Sequence, residues 1–168
     1  MDILEQYLGI LVLVLCIASP QIKKKWKMLS ISAVANIIAG INVLIFVGFT
    51  SAFVTNMLAV VQIVIHIVKD LKHRKTGTIE KAVFLGLYAS LSLSAYQSPV
   101  DLLVVLASVL FALAVFCKQE QHYRFCMLGN NAVYIVYNIV VGSSNLYSQI
   151  FAFISVASAI IRYKKYEE

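Results

Sequence analysis

Seven long apolar segments, separated by short polar ones, run along the 168-residue chain. A helix needs about 17 to 25 mostly apolar residues to cross the hydrocarbon core of a membrane, and each segment reaches that length. The pattern therefore predicts an all-α, polytopic membrane protein with seven transmembrane helices. These helices are predicted at residues 3–19, 27–48, 51–68, 80–96, 100–117, 123–142 and 146–163.

The composition agrees with a chain surrounded by lipid, because 61% of the residues are hydrophobic, 13% are charged and the mean hydropathy is +0.85. If the N-terminus lies outside, all 14 Lys and Arg residues fall in or beside residues 20–26, 69–79, 118–122 and the tail from 164. Basic residues accumulate on the cytoplasmic side of membrane proteins, so we predict an N-out, C-in topology. The net charge of +6 then marks a face for anionic lipid headgroups, and nucleic acid is not needed as a partner.

Residues 23–70 and 121–166 resemble each other. Each begins with basic and aromatic residues, continues through an Asn-bearing helix and a Ser-containing turn, and ends in a helix with a basic end. Together with the preceding helix, each copy is a three-helix repeat, and one additional helix between the copies makes them parallel in the membrane. We therefore predict a single membrane domain with a 3+1+3 plan: a first repeat at 1–70, a linker helix at 71–98 and a second repeat at 99–168.

This plan, with Pro20-Gln21 at the end of the first helix, resembles the PQ-loop or MtN3-like superfamily that includes the SWEET sugar transporters. More narrowly, residues 98–143 look like the second half of the YgjV family of bacterial inner-membrane proteins. The shared features are a Pro-Val-acid-Leu-Leu opening, a Phe-Cys helix end, an Arg-containing loop and an Asn-x-x-x-Gly-Ser ending. The second copy has Phe116-Cys117 where the first has Pro-Gln. The resemblance implies a multi-pass protein of the bacterial inner membrane.

Polar side chains recur at helical spacing inside several predicted helices. At 1.5 Å per residue, Asn36, Asn130 and Asn131 are expected near the midplane of a core about 30 Å thick. Residues spaced i, i+3 and i+7 share a helix face, so the polar side chains of one helix form a stripe along it. The stripes of the several helices are predicted to line a neutral, amide-rich cavity between the repeats. The candidate substrate-binding residues are Asn36, Asn131, Asn138, Tyr134, Asn42, Asn130, Gln62 and Ser155.

Interhelical hydrogen bonding is the alternative role of each candidate, since Asn and Ser often join membrane helices. Gly86, Ser90 and Ser94 are interpreted as packing residues of the fourth helix. His66 lies two residues before the predicted end of its helix and is expected to reach water, which disfavours a role in proton coupling.

The predicted function is a SWEET-like, facilitative transporter that moves a small, neutral polar solute by alternating access between the two repeats. No Asp, Glu, Lys or Arg occupies the central part of a predicted helix, which disfavours a charged solute and a carboxylate proton relay. Pro20, Gln21 and Pro99 are the candidate gating residues. The alternative is a non-transporting membrane receptor or accessory protein that binds its partner through the basic surface of residues 23–27 and 69–75.

An enzyme is not predicted, because the chain has no phosphate-binding loop, nucleophile elbow or metal-ligand spacing. No cofactor or metal is expected. Cys16, Cys117 and Cys126 have no C-x-x-C spacing and are interpreted as reduced packing thiols. The expected partners are membrane lipid and the solute, and a homo-oligomer is compatible with the sequence.

Overall fold

Long apolar segments form helices in a membrane because every backbone hydrogen bond is then satisfied within the segment. The computed structural model of the chain describes residues 3–72, 74, 76–143 and 145–164, at Lys164 the backbone alone. Two 3-10 turns, Ser19–Gln21 and Pro99–Asp101, follow α1 and precede α5. The α-helices of the described part are α1 (Ile3–Ala18), α2 (Lys25–Phe46), α3 (Ser51–Leu71), α4 (Thr78–Ser94), α5 (Leu102–Phe116), α6 (Glu120–Val141) and α7 (Leu146–Lys164).

Seven α-helices are confirmed in the described part of the chain, and their ends lie up to three residues from the predicted ones. Pro20 has no N–H to donate, so α1 closes in the 3-10 turn that contains it. α3 continues to Leu71 through the polar Lys69 and Asp70, and α6 already begins at Glu120. Hydropathy marks the apolar part of a helix and misses these polar end turns.

Five segments of the described chain are long and apolar enough to cross a membrane. Spanning by the other two helices stays a prediction, because α4 has 17 residues and α6 is the least apolar of the seven. Orientation and the 3+1+3 arrangement likewise stay predictions. The five segments are Ile3–Gln21, Lys25–Phe46, Ser51–Leu71, Pro99–Phe116 and Leu146–Tyr163.

The first compact unit, Met1–Thr76, contains α1, α2 and α3. α2 packs against both of the other helices. A methyl group on Gly40 would overlap the end of the Met57 side chain, so α2 approaches α3 closely at this point. The described part of α1 has no buried residue, which leaves its apolar side chains open to lipid. The buried face of α3 follows helical spacing and consists of Ala59, Gln62, Ile63 and His66.

The second compact unit, Gly77–Glu168, contains α4 to α7. α5 packs against α4 and α6, and α7 packs against α6. The α4–α5 contact includes a T-shaped pair of aromatic rings, Tyr88 and Phe111, whose centroids lie 6.1 Å apart. A second such pair, Phe84 and Phe116, has centroids 6.3 Å apart.

The assignment of Gly86, Ser90 and Ser94 as packing residues of α4 is wrong. All three are exposed, and both serine hydroxyls donate to carbonyl groups of their own helix. The residues of α4 that the second unit buries are Phe84, Tyr88 and Ser92.

Two pairs of helices start at the same distance from each other along the chain. Lys25 and Glu120 begin α2 and α6 and lie 95 residues apart, as do Ser51 and Leu146 at the starts of α3 and α7. α2 and α6 both have 22 residues. Each of these two helices is followed or capped by a glycine with positive φ, +92° at Gly48 and +69° at Gly142, a conformation that favours glycine.

Candidate functional site

Hydrogen-bonded polar side chains connect the end of α1 to the middle of α2. Ser19 Oγ donates to the Met28 carbonyl at 3.0 Å, so Ser32 is the donor in the 2.9 Å contact between the two serine hydroxyls. One turn further along α2, Asn36 Nδ2 donates to the Ser32 carbonyl at 2.7 Å. Asn36 is half-buried, and within the described part of the chain its Oδ1 atom accepts no hydrogen bond. The first unit therefore presents an amide oxygen halfway along α2.

Gln62 and His66 occupy the buried face of α3, at 0% and 1% exposure. His66 Nδ1 lies 2.8 Å from the Gln62 carbonyl, which can only accept, so this ring nitrogen carries the proton. The expectation that His66 reaches water near a helix end is wrong, because α3 continues for five more residues to Leu71. Both side chains belong to the interior of the first unit.

The Asn130 amide joins α6 to α5. Its Nδ2 atom donates to the Ala107 carbonyl at 2.7 Å, and both residues are buried. This contact is the interhelical hydrogen bond that membrane helices commonly use. Among the candidate amides, Asn130 is therefore the one whose N–H group already serves the packing of the second unit.

A cluster of hydroxyl groups links α4, α5 and α6. Ser92 Oγ donates to Ser108 Oγ at 2.9 Å, and Ser108 Oγ donates to the Val104 carbonyl at 2.8 Å. Tyr134 on α6 is hydrogen-bonded to Ser108. The Tyr134 hydroxyl thus keeps acceptor capacity in the interior of the second unit.

The Tyr88 hydroxyl is a polar group that the sequence reasoning missed. Tyr88 is 1% exposed, and its hydroxyl has no hydrogen-bond partner among the described residues. Periodic polar patterning could not identify Tyr88, because a tyrosine in an apolar helix also reads as a packing residue.

Asn131 and Asn138 lie seven residues apart on one face of α6 and are buried, at 6% and 5% exposure. In the described chain neither side-chain amide forms a hydrogen bond. An amide whose donors and acceptor are not used within the protein can offer them to a ligand or to water. These two side chains are therefore available as donors and acceptors for a polar ligand in the second unit.

The remaining candidates are more scattered. Asn42 is half-buried on α2, and its Oδ1 atom has no hydrogen-bond partner among the described residues. Ser155 is buried on α7. Pro20 is buried in the 3-10 turn after α1, whereas Pro99 is exposed at the start of the turn before α5.

The basic surface proposed for the receptor alternative is only partly available. Lys23, Lys24 and Lys27 are exposed, but Lys25 is buried and forms a salt bridge with Asp70 at 2.9 Å. Arg74 is exposed, and Lys75 lies outside the described residues. The basic surface therefore consists of exposed basic side chains and one buried lysine that serves a structural ion pair.

Neither side-chain chemistry nor spacing indicates a metal centre. Within the part of the chain that the structure describes, no three His, Cys, Asp or Glu side chains lie close enough together to hold an ion. Among the described residues, the buried polar groups are amides, hydroxyls, the His66 imidazole and two cationic side chains, Lys25 and Arg124, near the starts of α2 and α6. The amides and hydroxyls suit hydrogen bonding to a neutral molecule.

The chain was compared with known protein families, curated proteins and solved structures. A family model described as a bacterial inner membrane protein, Imp-YgjV, matches residues 3–167, which is nearly the whole chain. No curated protein and no solved structure matches. The family description gives a location and no activity, and membership of the PQ-loop superfamily stays a prediction. The match over residues 3–167, together with the membrane-spanning helices, shows that the chain belongs to the Imp-YgjV family and is a multi-pass protein of the bacterial inner membrane.

Proposed function

We propose that the protein is a facilitative transporter of a small, neutral polar solute, organised as two three-helix repeats with α4 between them. In this proposal the repeats alternate between inward-open and outward-open states, and the solute hydrogen-bonds to amides halfway along α2 and α6. Parallel repeats of this kind occur in secondary transporters, whose solute sites lie near the bilayer midplane.

One observation carries the proposal. Counted from the first residue of each 22-residue helix, Asn36 is the twelfth residue of α2 and Asn131 is the twelfth residue of α6. A rise of 1.5 Å per residue puts each amide about 17 Å from the start of its helix, near the middle of the segment. Amides at the same position of two repeated helices are expensive in an apolar environment and are characteristic of functional positions in membrane proteins.

The chemistry around these amides supports a neutral solute. Asn36 offers an oxygen, Asn131 and Asn138 offer whole amide groups, and the Tyr88 hydroxyl adds a further donor. No charged residue lies in the central part of these helices, so nothing there would balance the charge of an ion.

Thermal unfolding of the purified protein in mild detergent, against sugars, nucleosides, vitamins and neutral amino acids, tests the proposal. A solute that binds only the folded state stabilises it by about 2.7 kcal/mol at 100 times its dissociation constant. We expect at least one neutral solute to raise the melting temperature. The same solute should then equilibrate across proteoliposomes that contain the protein.

The matched control is Asn56→Ala. Like Asn36, Asn56 donates its amide to a carbonyl four residues earlier, Ala52, but it is a residue of α3 outside the proposed site. Asn36→Ala and Asn131→Ala should abolish the thermal shift and the flux while the protein stays folded, and Asn56→Ala should retain both. Flux that survives in both Asn36→Ala and Asn131→Ala would overturn the proposed transporter. The receptor would be favoured if no solute in the panel raised the melting temperature and if substitution of the exposed Lys23 and Lys24 abolished binding of a partner.

A further inference from the structure

Two of the three cysteines come together in the second unit. Cys117 caps the C-terminal end of α5, and Cys126 is the seventh residue of α6. Their sulfur atoms lie 3.8 Å apart, although nine positions separate the residues along the chain. Cys16, the third cysteine, is a residue of α1 in the first unit.

The contact has the arrangement of a dithiol that can close. A disulfide bond is about 2.05 Å long, so the sulfurs must approach by less than 2 Å. Cys117 already has extended backbone angles, φ −62° and ψ 134°, where the chain leaves α5. Its Sγ atom donates to the Leu113 carbonyl at 3.3 Å, and this sulfur hydrogen bond has to break first. Both side chains are half-buried, which leaves them open to small oxidants.

The first unit ties the corresponding junction together with a different pair of side chains. There, the hydroxyl of Ser19 at the end of α1 contacts the hydroxyl of Ser32, the eighth residue of α2, at 2.9 Å. A hydroxyl pair holds this junction by a hydrogen bond alone. A thiol pair at the α5–α6 junction can also hold it covalently.

We propose that Cys117 and Cys126 are a peroxide-sensitive dithiol that reversibly cross-links the end of α5 to α6. The first thiol loses its proton, and its thiolate attacks a hydroperoxide oxygen; the O–O bond breaks, and the leaving oxygen takes up a proton to become water (or an alcohol), which leaves a sulfenic acid. The second thiol also loses its proton, and its thiolate attacks the sulfenic sulfur; the S–S bond forms, the S–O bond breaks, and the hydroxyl leaves with a proton as a second water. Two thiols are thereby oxidised by two electrons while the peroxide is reduced. A dithiol reductant reverses the reaction by thiol–disulfide exchange.

Thiol counting in the full-length Cys16→Ala variant tests this inference. The variant, purified in detergent, is treated with hydrogen peroxide, denatured and labelled with a polyethylene glycol maleimide that retards each labelled chain on a gel. We expect two labels before oxidation, none after it, and two again after reduction. Trypsin cleaves after Lys118 and Arg124, so mass spectrometry should detect the two cysteine peptides joined by one disulfide bond.

Single-cysteine controls separate a cross-link from independent oxidation. Cys126→Ala in the same background should retain a lone Cys117 that dimedone traps as the sulfenic acid, with no disulfide within the chain. Far-UV circular dichroism checks that each variant is folded. The inference is overturned if both thiols of the two-cysteine protein give dimedone adducts without a bond, or if the disulfides form only between chains.

Discussion

The salt bridge between Lys25 and Asp70 joins the first turn of α2 to the last turn of α3. Lys25 Nζ lies 2.9 Å from Asp70 Oδ2, and the side chains are 8% and 38% exposed. Asp70→Asn keeps the size of the side chain but removes its charge. The buried Lys25 ammonium then remains in the first unit without the carboxylate that offsets its desolvation.

The exposed fractions of the two side chains determine how much unfolding free energy the substitution should cost. Removing one partner of a fully buried pair costs about 3 to 5 kcal/mol, whereas an exposed pair contributes at most about 1 kcal/mol. The Asp70 carboxylate is more than one-third exposed, so water screens part of the attraction. We therefore expect Asp70→Asn to lower the free energy of unfolding by about 1 to 2 kcal/mol. Lys25→Met, which keeps the apolar stem, should cost less.

Reversible unfolding in mixed detergent micelles, followed by far-UV circular dichroism, measures these values. The double variant completes a mutant cycle, and the coupling between Lys25 and Asp70 should be about 1 kcal/mol. Lys24→Met is the matched control, because its side chain is exposed and should change stability by less than about 0.5 kcal/mol. A coupling near zero, or an equal loss in Lys24→Met, would refute the assignment of this pair as a structural contact.

Two further predictions concern single positions in the second unit. Gly142→Ala should lower the free energy of unfolding by about 1 to 2 kcal/mol, since alanine disfavours φ +69°. Gly86→Ala, inside α4, should raise the free energy of unfolding by about 0.5 to 1 kcal/mol, because a methyl group meets no atom there. Denaturation of both variants measures these values, and a change of the same sign in both would contradict the prediction. Asn130→Ala should lower the free energy of unfolding by about 0.6 to 1.7 kcal/mol through the lost bond to Ala107, more than Asn56→Ala, whose amide bonds its own helix. A cost in Asn56→Ala as large as in Asn130→Ala would count against an interhelical role.

The fold was predictable to the extent that hydropathy records it. Each of the seven apolar segments is a helix in the described part of the chain, because unpaired backbone groups are so costly in lipid that such a segment must be helical. The errors fall at polar helix ends. Lys69 and Asp70 read as loop residues, yet α3 includes them and Asp70 pairs with Lys25. Such a pairing between distant parts of the chain leaves no local signal.

For the candidate site, the sequence predicted which helix face each polar side chain lies on, but not which group it bonds to. Helical spacing put Asn131, Tyr134 and Asn138 on one side of α6, and the structure buries both asparagines. Spacing could not tell that Asn130 donates to α5 while Asn131 does not, because adjacent residues differ by about 100° around the helix and only the position of α5 decides. For the same reason the sequence did not reveal the Cys117–Cys126 contact.

The asymmetry between the two central amides constrains the solute that the proposed transporter would carry. Asn36 Nδ2 is engaged by the Ser32 carbonyl, so in its present rotamer Asn36 offers chiefly an acceptor oxygen. Asn131 has no such contact in the described chain and can both donate and accept. A solute that binds the Asn36 side chain must therefore donate to its oxygen, which requires an O–H or N–H group. A neutral molecule with hydroxyl or amide donors meets this requirement, whereas one with acceptors alone would leave the Asn36 oxygen unpaired at a cost of about 1 to 3 kcal/mol.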